Sequence, residues 1–112
     1  FGIAEGIKIV IHQNESNAQS NLKLVAAALE NYAKDHLGTY PSSLGILCKG
    51  DPPYLDKDFM NESFIQSYGY VCNRMDPTGY SCSAIPMHCK ITGNKVFTIS
   101  TGGVLVSEEC KR

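Results

Sequence analysis

The chain reads as an α+β domain: a long N-terminal helix packed on a three- to four-stranded antiparallel sheet. Three observations predict this. Leu22, Val25, Leu29 and Tyr32 recur at steps of three and four, the spacing that gathers side chains on one side of a helix. The stretch Leu37-Gly38-Thr39-Tyr40-Pro41 then stops that helix, because Gly38 tolerates the left-handed conformation of a helix end and Pro41 lacks a backbone donor. From Ser67 onward the apolar period changes from helical to two, the alternation of strands that are covered on one face.

The helical pattern also extends backwards, with Ile7, Ile11, Ala18 and Leu22 near one side and Gln13, Glu15 and Asn17 off it. A regular rod of about 25 to 30 residues, roughly 40 to 45 Å at 1.5 Å per residue, is expected within residues 1–36. Leu22, Val25, Leu29 and Tyr32 are the expected anchors of its C-terminal half to the sheet. Ile7, Val10 and Ile11 are expected to project without a partner from their own chain, as an intermolecular interface.

Residues 37–66 form the expected connection between helix and sheet. Ser42-Ser43-Leu44-Gly45-Ile46-Leu47 suits a short capped turn of helix, and Lys49-Gly50-Asp51-Pro52-Pro53 a connector. Tyr54, Leu55, Phe59, Phe64 and Ile65 supply apolar anchors without periodicity, which suits a loop over one edge of the core. Residues 67–107 carry the sheet. Tyr68, Tyr70 and Cys72 alternate on one strand and Tyr80, Cys82 and Ala84 on the next, with Asp76-Pro77-Thr78-Gly79 as the turn between them. A third strand, residues 95–100, follows the Thr92-Gly93-Asn94 turn, and a fourth follows Thr101-Gly102-Gly103. Residues 108–112 are expected as a tail.

The chain has 112 residues, enough for a single domain with a single core. Ten Lys plus Arg stand against eleven Asp plus Glu, for a net charge of −1. No basic run interleaves with aromatic residues, so no nucleic-acid partner is expected. Cys48, Cys72, Cys82, Cys89 and Cys110 all follow the helix. Five cysteines in a short chain fit one or two disulfides formed in an oxidising compartment, with one thiol left over, and the spacing leaves their pairing open. No C-x-x-C pair or other zinc-type spacing occurs, and no metal or cofactor is expected. His12, His36 and His88 lie among polar or loop residues without the neighbours a catalytic base needs, and no phosphate-binding glycine loop opens a helix. No segment reaches the roughly 20 apolar residues of a membrane span.

Ser20-Asn21-Leu22-Lys23-Leu24-Val25-Ala26-Ala27-Ala28-Leu29-Glu30-Asn31-Tyr32, followed by Gly38-Thr39-Tyr40-Pro41-Ser42-Ser43-Leu44, resembles the helix end and first turn of type IV pilins and type II secretion pseudopilins. Tyr68-Gly69-Tyr70, Gly79-Tyr80-Ser81-Cys82-Ser83-Ala84-Ile85-Pro86 and Phe97-Thr98-Ile99-Ser100-Thr101-Gly102-Gly103 stand where the sheet and final turn of that family would be. The resemblance implies a non-enzymatic structural subunit of a filament at the cell surface or in the periplasm. Its partners would be further copies of itself and other pilin-type subunits, with the full-length form anchored in the inner membrane before assembly. Phe1 and Glu5 match by number the family's first and fifth mature positions, but its long apolar stretch does not follow, so the start is expected to be a trimmed form. Asp51, Asp56, Asp58 and Glu62 lack the fixed ligand spacing of the family's calcium loop. The alternative is a secreted, disulfide-stabilised binding module that recognises a ligand through residues 49–66 and Met87-His88-Cys89.

Overall fold

The computed structural model describes residues 3–49, 52–55 and 67–110, with the side chains of residues 3–9 outside the description. Helix α1 spans Ile3–Asp35, α2 spans Leu44–Cys48, and four strands follow: β1 Tyr68–Asp76, β2 Gly79–Pro86, β3 Lys95–Ser100 and β4 Val104–Glu109. The strands form one sheet in the order β1-β2-β3-β4, every neighbouring pair antiparallel. Tight turns join β1 to β2 and β3 to β4, and a longer loop, residues 87–94, joins β2 to β3, so that each strand pairs with the one just made.

The core lies between α1 and one face of the sheet. Leu22, Val25 and Leu29 are fully buried there, with Ala18, Ala26 and Ala28, against Tyr68, Tyr80, Cys82, Ala84, Phe97 and Ile99. The buried arc of α1 is wider than the predicted stripe because α2 covers a second side of the helix through Leu44 and Leu47. Small alanines at these positions let two layers approach the helix closely. The segment after α2 folds back onto it, with the amides of Tyr54 and Leu55 both donating to the Leu47 carbonyl at 2.9 and 3.1 Å.

Helix α1 closes with Leu37 and Gly38 both at positive φ, 58° and 85°. The Gly38 amide reaches back to the Ala33 carbonyl at 2.7 Å, the six-to-one bond of a Schellman end. The left-handed position expected at Gly38 is therefore shared with Leu37, whose side chain is 99% exposed. Pro41 is buried, and the Tyr40 amide donates to the Pro77 carbonyl at 3.1 Å, tying the helix exit to the β1–β2 turn.

Two expectations change. Helix α1 holds 33 residues, about 50 Å at the standard rise, and so exceeds the expected rod. Strand β4 runs to Glu109, so the predicted tail at residues 108–109 is strand paired with Lys95 and Val96. Of the predicted helix-to-connection segment, residues 50–51 and 56–66 lie outside the described residues, as do Asp51, Asp56, Asp58 and Glu62.

Candidate functional site

With helix on sheet, chemistry can be sought in clusters and function in surfaces. Among the described residues no group of three or more His, Cys, Asp and Glu side chains gathers as a metal site would require. The cysteines form two disulfides. Cys72–Cys82 joins directly opposed residues of β1 and β2, beside the irregularity between Cys72 and Arg74. Cys89–Cys110 joins the β2–β3 loop to the end of β4. Cys48, on α2, takes part in neither. Such bonds persist in oxidising compartments.

The predicted interface residues separate. Ile7 is part of α1, but its side chain is outside the described residues. Val10 is 51% exposed. Ile11, expected to project, is instead buried at 7% exposure. Beside it lies a second docking point that periodicity does not reveal. One turn beyond Ile11, Asn14 Nδ2 donates to the Thr92 carbonyl, and the Asn94 amide donates to Glu15 Oε2, both at 2.9 Å. The loop that receives the helix is held by the Cys89–Cys110 bond and by the Cys110 amide, which donates to the Asn94 carbonyl at 2.9 Å. Gly93 is required within it, because a Cβ there would collide with the Tyr68 phenol oxygen, which itself donates to the Lys95 carbonyl at 2.8 Å.

The predicted helix-to-sheet anchors divide similarly. Leu22, Val25 and Leu29 have no exposed surface. Tyr32 sits at the rim of the core, its ring stacked on His36 at 3.8 Å and met edge-on by Tyr54 at 5.6 Å. It therefore faces the connection after α2. Tyr54 Oη donates to Asp35 Oδ2 at 2.6 Å, and this hydrogen bond raises the Tyr54 phenol pKa.

The densest polar constellation centres on Glu30. Tyr80 Oη donates to Oε2 at 2.7 Å, Tyr40 Oη reaches both carboxylate oxygens at 3.0 and 3.1 Å, and the Gly102 amide donates to Oε2 at 3.0 Å. The Gly103 amide in turn donates to Tyr80 Oη at 3.1 Å. One helical carboxylate thus joins α1, the helix exit, β2 and the β3–β4 turn. Burial and then the neighbouring carboxylate raise the phenol pKa of Tyr80 and Tyr40. A neutral phenol donates and a phenolate cannot, so these raised values fit a positioning network. The spacing of Leu22, Val25, Leu29 and Tyr32 leaves Glu30 off the apolar stripe. The Tyr40-Pro41 pair following a glycine stop was the nearest signal to its role, and it carries no partner identity.

The surface of the alternative binding reading is only partly described. Met87 is 48% exposed and His88 is exposed, while Cys89 is bound to Cys110. The His88 amide donates to Thr92 Oγ1 at 3.0 Å, so this segment belongs to the loop that receives α1.

Comparison with known proteins finds no matching family model, no matching curated sequence and no matching solved structure.

Proposed function

We propose that this chain is the head of a filament subunit of the type IV pilin or type II secretion pseudopilin kind, which assembles through its N-terminal helix. The observation that carries the reading is the mismatch between α1 and what covers it. The helix is 33 residues long, about 50 Å, whereas strands of six to nine residues reach only about 20 to 30 Å. Among the described residues its buried positions run from Ile11 to Ala33, and Val10, just before them, is 51% exposed. A rod that outruns its sheet offers copies of itself a common axis on which to pack, with the disulfide-bearing head outward. Two disulfides fit a filament outside the cytoplasm, in the periplasm or at the cell surface.

The test uses cells that carry the intact gene. Shearing, immunoblotting of the sheared fraction and electron microscopy should recover the protein in filaments. Ile7→Asp and Val10→Asp should abolish those filaments while leaving the purified head folded. Recovery of the wild-type protein only as dispersed monomer overturns the proposal.

A further inference from the structure

Sheet register assigns every strand residue to one of two faces. Phe97 and Ile99 point at α1, so Val96, Thr98 and Ser100 point away, together with their partners Glu108, Val106 and Val104 on β4 and with Ser81 and Ser83 on β2. A free face of an antiparallel sheet is ordinarily polar. Here Val71, Ile85, Val104 and Val106 stand on it, between 41% and 57% exposed. At the β3–β4 flank a groove of about 230 Å³ is lined by Val96, Thr98, Val106, Ser107 and Glu108.

The opposite side of the molecule carries a matching projection. Leu24 follows the buried Leu22 by two positions, about 200° around the helix. It therefore points away from the sheet and is 56% exposed. Lys23 stands beside it, exposed and without an ion pair among the described residues. Glu108 at the groove is likewise exposed and without one. An apolar projection edged by a cation thus faces one way, and a groove that carries Val96 and Val106 and is edged by an anion faces the other, neither charge being ion-paired among the described residues.

We propose that a second copy of this chain seats its Leu24 in the groove between Val96 and Val106, with its Lys23 reaching Glu108. This inference rests on the reading of the chain as a self-assembling subunit, and adds to it a contact between heads. The two patches lie on opposite faces of a two-layer molecule, so the contact is head-to-tail and leaves a free groove at one end and a free Leu24 at the other. Such a contact extends instead of closing. The two short dimensions of the molecule are 25 and 18 Å, which sets the scale of the offset between successive copies. A contact built on one side chain and one ion pair falls in the weak, transient class, so it acts only where copies are already held side by side.

Sedimentation velocity of this chain up to millimolar concentration tests the contact. The wild-type chain should show a concentration-dependent rise in average mass that weakens with added salt. Leu24→Asp should weaken association by roughly tenfold or more, and Val106→Asp should do the same from the groove side. Lys23→Glu should weaken it, and Lys23→Glu combined with Glu108→Lys should restore it. All four residues sit at exposed positions, and far-UV circular dichroism verifies that each variant folds. Absence of association in the wild type, indifference to Leu24→Asp, or failure of the charge exchange to restore association each overturns the inference. Filaments lost in Val10→Asp but unchanged in Leu24→Asp refute this contact and leave the filament reading standing. Association lost in Leu24→Asp, with no filaments from the intact gene product, refutes the filament reading and supports the contact.

Discussion

Tyr80 and Glu30 are 50 residues apart in the chain, yet the Tyr80 hydroxyl donates to Glu30 Oε2 at 2.7 Å. That bond fixes the rotation of α1 over the sheet. The same carboxylate holds Tyr40 after the helix and Gly102 before β4, so a helix position facing sideways becomes the joint of four elements. A carboxylate accepts several such bonds at once, and bonds to an ionised acceptor are stronger than neutral ones.

We predict that Glu30→Ala is among the more damaging substitutions near the rim of the core. It leaves the buried Tyr80 hydroxyl without its carboxylate acceptor, at a cost of about 2 to 3 kcal/mol. Glu30→Gln keeps an acceptor oxygen and should lose about half as much. Urea unfolding followed by circular dichroism measures both. A Glu30→Ala protein as stable as wild type would remove the network from the account.

Leu37 makes the opposite case. It occupies a left-handed position at φ 58° with a side chain that is 99% exposed, so the residue carries the steric cost of that conformation with no packing in return. Leu37→Gly should raise stability by about 1 kcal/mol, and Leu37→Val should lower it. The shift in the midpoint of urea unfolding reads each sign directly.

The two disulfides should differ in what they release. Their separations of 10 and 21 residues give similar loop-closure contributions of about 3 kcal/mol each. Cys72–Cys82 links strands that the sheet already pairs. Cys89–Cys110 holds the loop that receives Asn14 and Glu15 of α1. Replacing Cys89 and Cys110 by serine should speed amide hydrogen exchange around residues 11–18, while replacing Cys72 and Cys82 should leave that region protected. Equal protection of α1 in both double variants would contradict this division.

Alkaline pH should destabilise the fold. Burial raises the phenol pKa of Tyr68, Tyr70 and Tyr80 above the ordinary 10.0. A group whose folded pKa is raised contributes stability that is complete below its unfolded value and declines as pH climbs through the folded one. Stability should therefore hold up to about pH 10 and fall above it. Tyrosinate absorbance of the buried set should rise only together with unfolding. Titration of all six tyrosines near the ordinary value in the still-folded protein would refute the prediction.

The helix, its stop and the strands were legible because they are local facts. The steps from Leu22 to Leu29 set one helical face, Gly38 sets the exit, and alternation through Tyr68 and Tyr80 sets the strands, each within a few residues of chain. The burial of Ile11 and the partners of Glu30 escaped the sequence for a common reason. Periodicity says which side of a helix is apolar, but not which loop will cover a polar edge or an early turn. Residues 92–94, from far along the chain, receive Asn14 and Glu15 one turn beyond the buried Ile11, and Tyr40, Tyr80 and Gly102 converge on Glu30.

By itself, the sequence determined the order of elements, the presence of a half-covered rod and the chemistry available at each position, because these follow from spacing and backbone preference. Only the tertiary structure decided which cysteines meet, how far along α1 the core reaches, and which apolar residues are left on opposite outer faces. Those outcomes depend on the register of four strands and on contacts across most of the chain's length, where no local pattern identifies a partner.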